Sequence, residues 1–157
     1  MKNLLLFTML FIVIACNQNT KEDETPPPCS LPPPTFLLLV NKNSELHKEF
    51  VNEKGEIDKE HISLYKKENS QKKMYNISPY YTSVPTNKND YLVVATQLWF
   101  KNDVYTGKTE TLYLQNASKT YKIEVNGSMK SGECGEYAVT NEIRVDGTKI
   151  EVPYLAK

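Results

Sequence analysis

A two-residue alternation of apolar and polar side chains marks the C-terminal third of the chain. Residues 120–125 alternate Tyr, Ile and Val with Thr, Lys and Glu, and residues 142–146 alternate Glu, Arg and Asp with Ile and Val. Successive side chains of a strand point to opposite faces, so each run predicts a strand with one buried and one wet face. Asp146-Gly147 then predicts a hairpin, because Gly accepts the positive φ of a two-residue turn.

The same kind of pattern recurs along the chain and predicts an all-β fold. Residues 91–100 (YLVVATQLWF) are apolar on both faces, which predicts a central strand. Turns are predicted at Glu53-Lys54-Gly55-Glu56 and Asn126-Gly127-Ser128, and at most a turn or two of helix within residues 42–54. The candidate strands are residues 35–40, 61–66, 74–77, 91–100, 110–114, 120–125, 137–145 and 149–152. Seven or eight strands in residues 35–157 predict a single antiparallel β-sandwich.

The N-terminus has the order of an export signal. Lys2 and Asn3 are polar, residues 4–14 are apolar apart from Thr8, and the small Ala15 precedes Cys16. This apolar stretch is shorter than the roughly 20 residues that a membrane-spanning helix needs. We therefore expect residues 1–15 to be a signal peptide.

The sequence Val13-Ile14-Ala15-Cys16 resembles a bacterial lipobox. Ala15 and Cys16 match that motif, whereas Val13 and Ile14 depart from its commoner residues. The resemblance implies that Cys16 carries lipid, palmitate included, and becomes the first mature residue. Each buried methylene of a lipid contributes about 0.8 kcal/mol, so several chains would hold the protein firmly on a membrane.

A short charged segment follows the predicted lipid site. Lys21, Glu22, Asp23 and Glu24 come soon after Cys16 and resemble the surface-export signal of Bacteroidota lipoproteins. The resemblance implies an outer-membrane lipoprotein that faces the cell exterior. A solvated spacer on a periplasm-facing protein is the alternative, since short charge runs are common in unstructured segments.

Residues 16–34 are predicted to be a tether between the lipid and the β-domain. The stretch PPPCSLPPP holds six of the nine prolines, which favours an extended, semi-rigid path. With Cys16 assigned to lipid, Cys29 and Cys134 remain as an even pair in an oxidising compartment. We expect them to form a disulfide; two separate thiols are the alternative.

Charge and motifs exclude several function classes. Without residues 1–15 the chain keeps 18 basic and 19 acidic side chains, so a basic face for nucleic acid is not expected. No recognisable catalytic, phosphate-binding or dinucleotide motif occurs, which predicts a protein without enzymatic activity or a cofactor. Glu45, His47 and Glu49 could share one face of an extended segment as metal ligands. They are better interpreted as solvated surface residues, and no metal site is predicted.

Aromatic residues supply the best candidate contacts. Tyr80 and Tyr81 lie between Pro79 and Pro85, which predicts an exposed loop, and loops often carry recognition. Trp99 joins them as a candidate, although a large aromatic is more often in a core. The expected function is a binding or accessory module for a glycan or an envelope protein. A cryptic hydrolase or a protease-inhibitor-like protein is the alternative.

The chain as a whole resembles small Bacteroidota lipoproteins that carry a transthyretin-like or immunoglobulin-like β-domain. The resemblance lies in PPPTFLLLVNKNSELH, as an opening strand and turn, and in SGECGEYAVTNEIRVDGTKI, as a closing cysteine, strand and hairpin. Residues 41–44 depart from the turn usual in those proteins. The resemblance implies an architecture and a location, and it implies no activity.

Overall fold

The computed structural model describes residue 31 and residues 33–84, 89–97 and 103–157. Within these ranges the regular elements are ten strands and one 3₁₀ helix, Glu45–Phe50. The strands are β1 (Thr35–Asn41), β2 (Ser63–Glu68), β3 (Gln71–Tyr75), β4 (Tyr80–Val84), β5 (Asn89–Gln97), β6 (Thr106–Gln115), β7 (Thr120–Gly132), β8 (Gly135–Val145), β9 (Thr148–Lys149) and β10 (Tyr154–Ala156).

The strands form two sheets. One has the order β10-β1-β5-β4, and the other has the order β3-β2-β6-β7-β8-β9. Neighbouring strands are antiparallel except for the parallel pair β1 and β10. The predicted all-β sandwich is confirmed. In the described ranges it has ten strands where seven or eight were predicted, because β4 and the short β10 escape the sequence pattern.

The core lies between the two sheets. Buried side chains from both sheets meet there, among them Phe36, Leu38, Leu92, Leu112 and Ile123. Residues of β5 with odd numbers face the other way, where Tyr91 and Val93 cluster with Leu39. Both faces of β5 are therefore buried, and β5 lies between β1 and β4 as a central strand should.

Two of the predicted turns are confirmed, one at Asp146-Gly147 and one at Gly55. Asp146 and Gly147 have φ of 49° and 85° between β8 and β9, as a two-residue hairpin turn demands. Gly55 has φ of 77°, and its N–H donates to the Asn52 carbonyl at 2.9 Å. The predicted short helical segment also exists as the 3₁₀ helix, with Ser44 as its N-cap.

The turn predicted at Asn126-Gly127-Ser128 is wrong. β7 continues through these residues to Gly132, and the chain reverses at Glu133 and Cys134 instead. Gly127 is required for packing: a Cβ there would lie 2.7 Å from Cδ1 of Tyr105 and 2.8 Å from the Val139 carbonyl oxygen. Gly127 therefore does not form a turn; it allows the Tyr105 ring and the backbone of β8 to approach β7 closely within the sheet.

The loop predicted around Tyr80 and Tyr81 is also wrong. These residues begin β4, which pairs antiparallel with β5. Pro79 precedes the strand and takes no part in its ladder, so it does not prevent pairing. The two prolines wrongly indicated a loop, because β4 is stabilised by pairing with β5, which a local sequence pattern does not report.

Several predicted residues lie outside the described ranges: the signal peptide, Cys16, Lys21, Glu22, Asp23, Glu24, Cys29 and Trp99. Cys134 is described, and its disulfide with Cys29 stays a prediction. No helix in the described part of the chain is long and apolar enough to cross a bilayer.

Candidate binding surfaces

The backbone of β5 alternates between its two neighbours. The Lys42 N–H donates to the Asp90 backbone carbonyl at 2.9 Å, so the backbone N–H and C=O groups of Asp90 point toward β1. Alternate residues of a strand direct their N–H and C=O groups to opposite neighbours. The backbone groups of Tyr91 and Val93 therefore point toward β4.

This alternation fixes which groups of β4 point outward. Tyr80 pairs with Val93 and Thr82 pairs with Tyr91, so both direct their backbone groups to β5. Tyr81 and Ser83 lie between these positions. Their N–H and C=O groups consequently point away from β5, along the outer side of the strand.

The edge formed by β4, residues Tyr80–Val84, differs from the other sheet edges. In the described strands β4 pairs with β5 alone and ends its sheet. At the edges of the two sheets, β3 carries Lys72 and Lys73, while β9 and β10 are two and three residues long. Charges and short length are the usual means of blocking strand addition. The β4 edge is uncharged and five residues long, so it lacks both protections.

Tyr80 and Tyr81 are exposed, as predicted, with 53% and 38% of their surface accessible. The hydroxyl of Tyr81 is hydrogen-bonded to Nε2 of His47 at 2.9 Å, and Lys42 Nζ lies 5.0 Å from the Tyr81 ring centroid. Burial, with a smaller effect of Lys42, lowers the pKa of His47. Burial also raises the pKa of Tyr81. A neutral imidazole and a neutral phenol thus brace the β4 edge at neutral pH.

Glu45, His47 and Glu49 do not converge. Glu45 pairs with Lys48 at 2.7 Å, whereas Glu49 accepts a hydrogen bond from the Tyr121 hydroxyl. The interpretation of all three as solvated residues is wrong for His47, which is buried against Tyr81. Because the segment is a 3₁₀ helix, its side chains diverge and each finds a separate partner.

A network of charged groups, which the sequence did not predict, joins β2, β3 and β6 to the segment before β6. Lys66 Nζ donates to the Asp103 carbonyl at 2.8 Å and to Glu110 Oε2 at 2.7 Å. Lys73 pairs with the carboxylate of Asp103, which is buried. Burial alone would raise the pKa of Glu110, but hydrogen bonds from Lys66 and Thr106 outweigh it and the pKa is lowered. Opposite charges satisfy one another here, as in a structural ion-pair network.

A second surface feature is a polar depression on the outer face of the six-stranded sheet. We call it the bulge groove; its volume is about 290 Å³, and it is lined by Thr109, Glu124, Asn126, Glu142 and Arg144. These side chains come from β6, β7 and β8 and share one face of the sheet by register. No sequence pattern singled them out, because a solvated strand face has the same alternation.

We found no match to this chain among protein families, curated proteins or solved structures.

Proposed function

We propose that this protein is a lipid-anchored, non-catalytic binding module that captures an extended segment of a partner envelope protein on the β4 edge. The observation that carries the proposal is the uncharged β4 edge with the outward-pointing backbone groups of Tyr81 and Ser83. A strand added there would satisfy those groups through main-chain hydrogen bonds, as in other cases of β-augmentation.

The side chains of the β4 edge support a peptide partner. Tyr80 pairs with Val93 and lies on the outer face of the four-stranded sheet, beside the cluster that contains Tyr91. An exposed tyrosine offers a large, rigid apolar surface with a polar end. Val84 packs against the same cluster, so alternate side chains of an added strand would find apolar neighbours on that face.

The proposed anchor is the lipid on Cys16, with the tether extending to an outward-facing domain. The end of this tether contacts the sandwich: Leu31, Pro33 and Pro34 line a cleft of about 320 Å³ with Tyr137 and other residues. A disulfide between Cys29 and Cys134 would fix the tether beside the β7–β8 turn. The domain would then be held in a defined orientation to the membrane.

Photo-crosslinking in the native membrane tests the proposal. A crosslinking amino acid at position 80 should capture one partner protein from the envelope. Ser83→Pro should abolish capture, because it removes an outward N–H and leaves the hydrogen bonds to β5 in place. Ser83→Ala is the matched control, and it should retain capture.

Three outcomes contradict the proposed function. Capture that survives Ser83→Pro would show that the outer side of β4 is not the contact. A crosslinked product made only of two copies of this chain would show that the β4 edge serves self-association. Absence of any crosslinked product would also overturn the proposal.

A further inference from the structure

The bulge groove lies where two strands bend around a third. Asn126 of β7 is paired with Thr109 of β6 and with Glu142 of β8. The β6 ladder shifts register between Thr106 and Thr109, and the β8 ladder shifts beside Asn126, so both neighbours bulge at this level. A bulge bends its strand and increases the local twist. Paired bulges thus give the otherwise flat face a concave site.

A chain of amide and hydroxyl groups crosses the floor of the groove. Asn141 Nδ2 donates to Asn126 Oδ1 at 2.9 Å, and Asn126 Nδ2 donates to Thr109 Oγ1 at 3.2 Å. Asn141 is the extra residue of the β8 bulge, since Glu142 and Thr140 pair with consecutive residues of β7. The bulge therefore brings an additional side-chain amide onto the outer face of the six-stranded sheet, beside the bulge groove.

Charged groups form the rim and largely neutralise one another. Arg144 Nε donates to Glu142 at 2.6 Å, and Lys149 pairs with the same carboxylate at 2.9 Å. Glu124 pairs with Lys122 at 2.6 Å and lies across the ladder from Arg144. The hydrogen bonds from Arg144 and Lys149 lower the pKa of Glu142, so its carboxylate is ionised at neutral pH.

This balance of charges selects a class of ligand. Three cations around two carboxylates disfavour a metal ion, and the carboxylates disfavour an anion. A ligand that fits must both donate to carboxylates and accept from guanidinium and amide groups. Neutral saccharides have this property at every hydroxyl group, and the groove volume lies at the small end of ligand pockets, suited to one or two sugar rings.

An aromatic platform lies on the same face of β6. Tyr113 is four residues from Thr109, which places it about 13 Å along the strand. Its ring stacks on Tyr65 with centroids 5.3 Å apart, and Lys67 Nζ lies 4.5 Å from its centroid. A ligand longer than one ring could therefore run from the groove toward Tyr113 and displace the lysine from the ring.

We infer that the bulge groove is a binding site for a neutral oligosaccharide. Glu142 and Glu124 accept hydrogen bonds from its hydroxyl groups, and Arg144 and Asn126 donate to its oxygens. The site lies on the six-stranded sheet, whereas the β4 edge belongs to the other sheet. The inference is thus independent of the proposed function.

Calorimetric titration of the full chain in detergent micelles tests the inference. The probes are maltotriose, cellotriose, mannotriose and tri-N-acetylchitotriose, with a trisaccharide of galacturonic acid as the charged comparison. At least one neutral trisaccharide should bind. Glu142→Gln should weaken that binding at least about tenfold, as expected for the loss of a charged hydrogen-bond acceptor.

Glu53→Gln is the matched control, because it removes a carboxylate from an exposed turn that does not line the groove and should leave binding unchanged. The inference is overturned if no neutral trisaccharide binds, if only the acidic one binds, or if the Glu142 and Glu53 variants behave alike. Ser83→Pro should retain saccharide binding while losing partner capture, so the two proposals fail separately.

Discussion

At the scale of single residues, close packing decides which side chains the sheets tolerate. Gly127 lies in the middle of β7, where the ring of Tyr105 and the backbone of β8 leave no space for a Cβ. Tyr105 is itself held, because its hydroxyl donates to the Thr35 carbonyl at 3.2 Å. The Tyr105 ring packs against Gly127 of β7 while its hydroxyl bonds the first residue of β1, so the ring has little freedom to move away from an added Cβ.

We expect Gly127→Ala to lower the free energy of unfolding by about 1 to 3 kcal/mol, the usual cost of overpacking. Urea denaturation measures this change. Gly132→Ala is the control in the same strand, since the tightest contact of its Cβ would be the ring of the exposed Tyr137 at 3.2 Å, and the Gly135 carbonyl oxygen would lie at an ordinary 3.7 Å. An equal loss of stability in the two variants would contradict the packing role of Gly127.

The two histidines should titrate on opposite sides of pH 6.5. Burial beside Tyr81, with Lys42 nearby, lowers the pKa of His47, whereas the hydrogen bond to Asp58 raises the pKa of His61. Imidazole proton signals in NMR spectra measure both values. Asp58→Asn should lower the pKa of His61 alone, and a His47 pKa above 6.5 would contradict the burial.

The lowered pKa of His47 has a defined effect on stability. The unfolded chain binds the proton more readily than the folded chain, so stability rises with pH through this range. The contribution is fully present above pH 6.5 and is lost as pH falls toward the lower folded pKa. In denaturation at pH 5 and pH 8, His47→Gln should reduce the difference in stability; an unchanged difference would contradict this assignment.

At the scale of elements, the sequence predicted those strands and turns that are determined by a few neighbouring residues. The β8–β9 turn and the buried strand β5 follow from Asp146-Gly147 and from an apolar run, because each is specified within a few residues. β4 and the extension of β7 depend on partners distant in sequence, and no local pattern reports them. The exposure of Tyr80 could be predicted from neighbouring residues in the sequence. The bulge groove could not, because its position depends on the register of β6, β7 and β8.

The register of β4 gives a prediction at this scale. Thr82→Pro should destabilise the domain by at least about 1 kcal/mol more than Ser83→Pro, because only Thr82 donates toward β5. Thermal unfolding of the two variants measures the difference. The reverse order would show that the outward and inward positions of β4 are exchanged, and the proposed contact would have to move with them.

At the scale of the whole molecule, the proposed function combines the β4 edge, which is unprotected in the described part of the chain, with a proposed tether and lipid anchor. Leu31, Pro33 and Pro34, at the end of the proposed tether, line a cleft with Tyr105 and Tyr137. Pro33 and Pro34 lead into β1, which lies in the same four-stranded sheet as β4 and is separated from it by β5.

We expect Cys29 and Cys134 to be joined by a disulfide bond. Peptide mapping without reduction should recover the two cysteines in one linked fragment, and reduction should separate them. Such a bond closes a loop of about 105 residues, for which the chain-entropy model gives a stabilisation of roughly 4 to 5 kcal/mol. Recovery of Cys29 as a free thiol would contradict the pairing.

Amide hydrogen exchange at β4 tests the central claim most directly. In the free protein the amides of Tyr81 and Ser83 should exchange quickly, and those of Tyr80 and Thr82 should be protected by β5. On addition of the captured partner, protection should appear at Tyr81 and Ser83 and remain unchanged at the other two. Unaltered exchange at Tyr81 and Ser83 in the complex would contradict strand addition at the β4 edge.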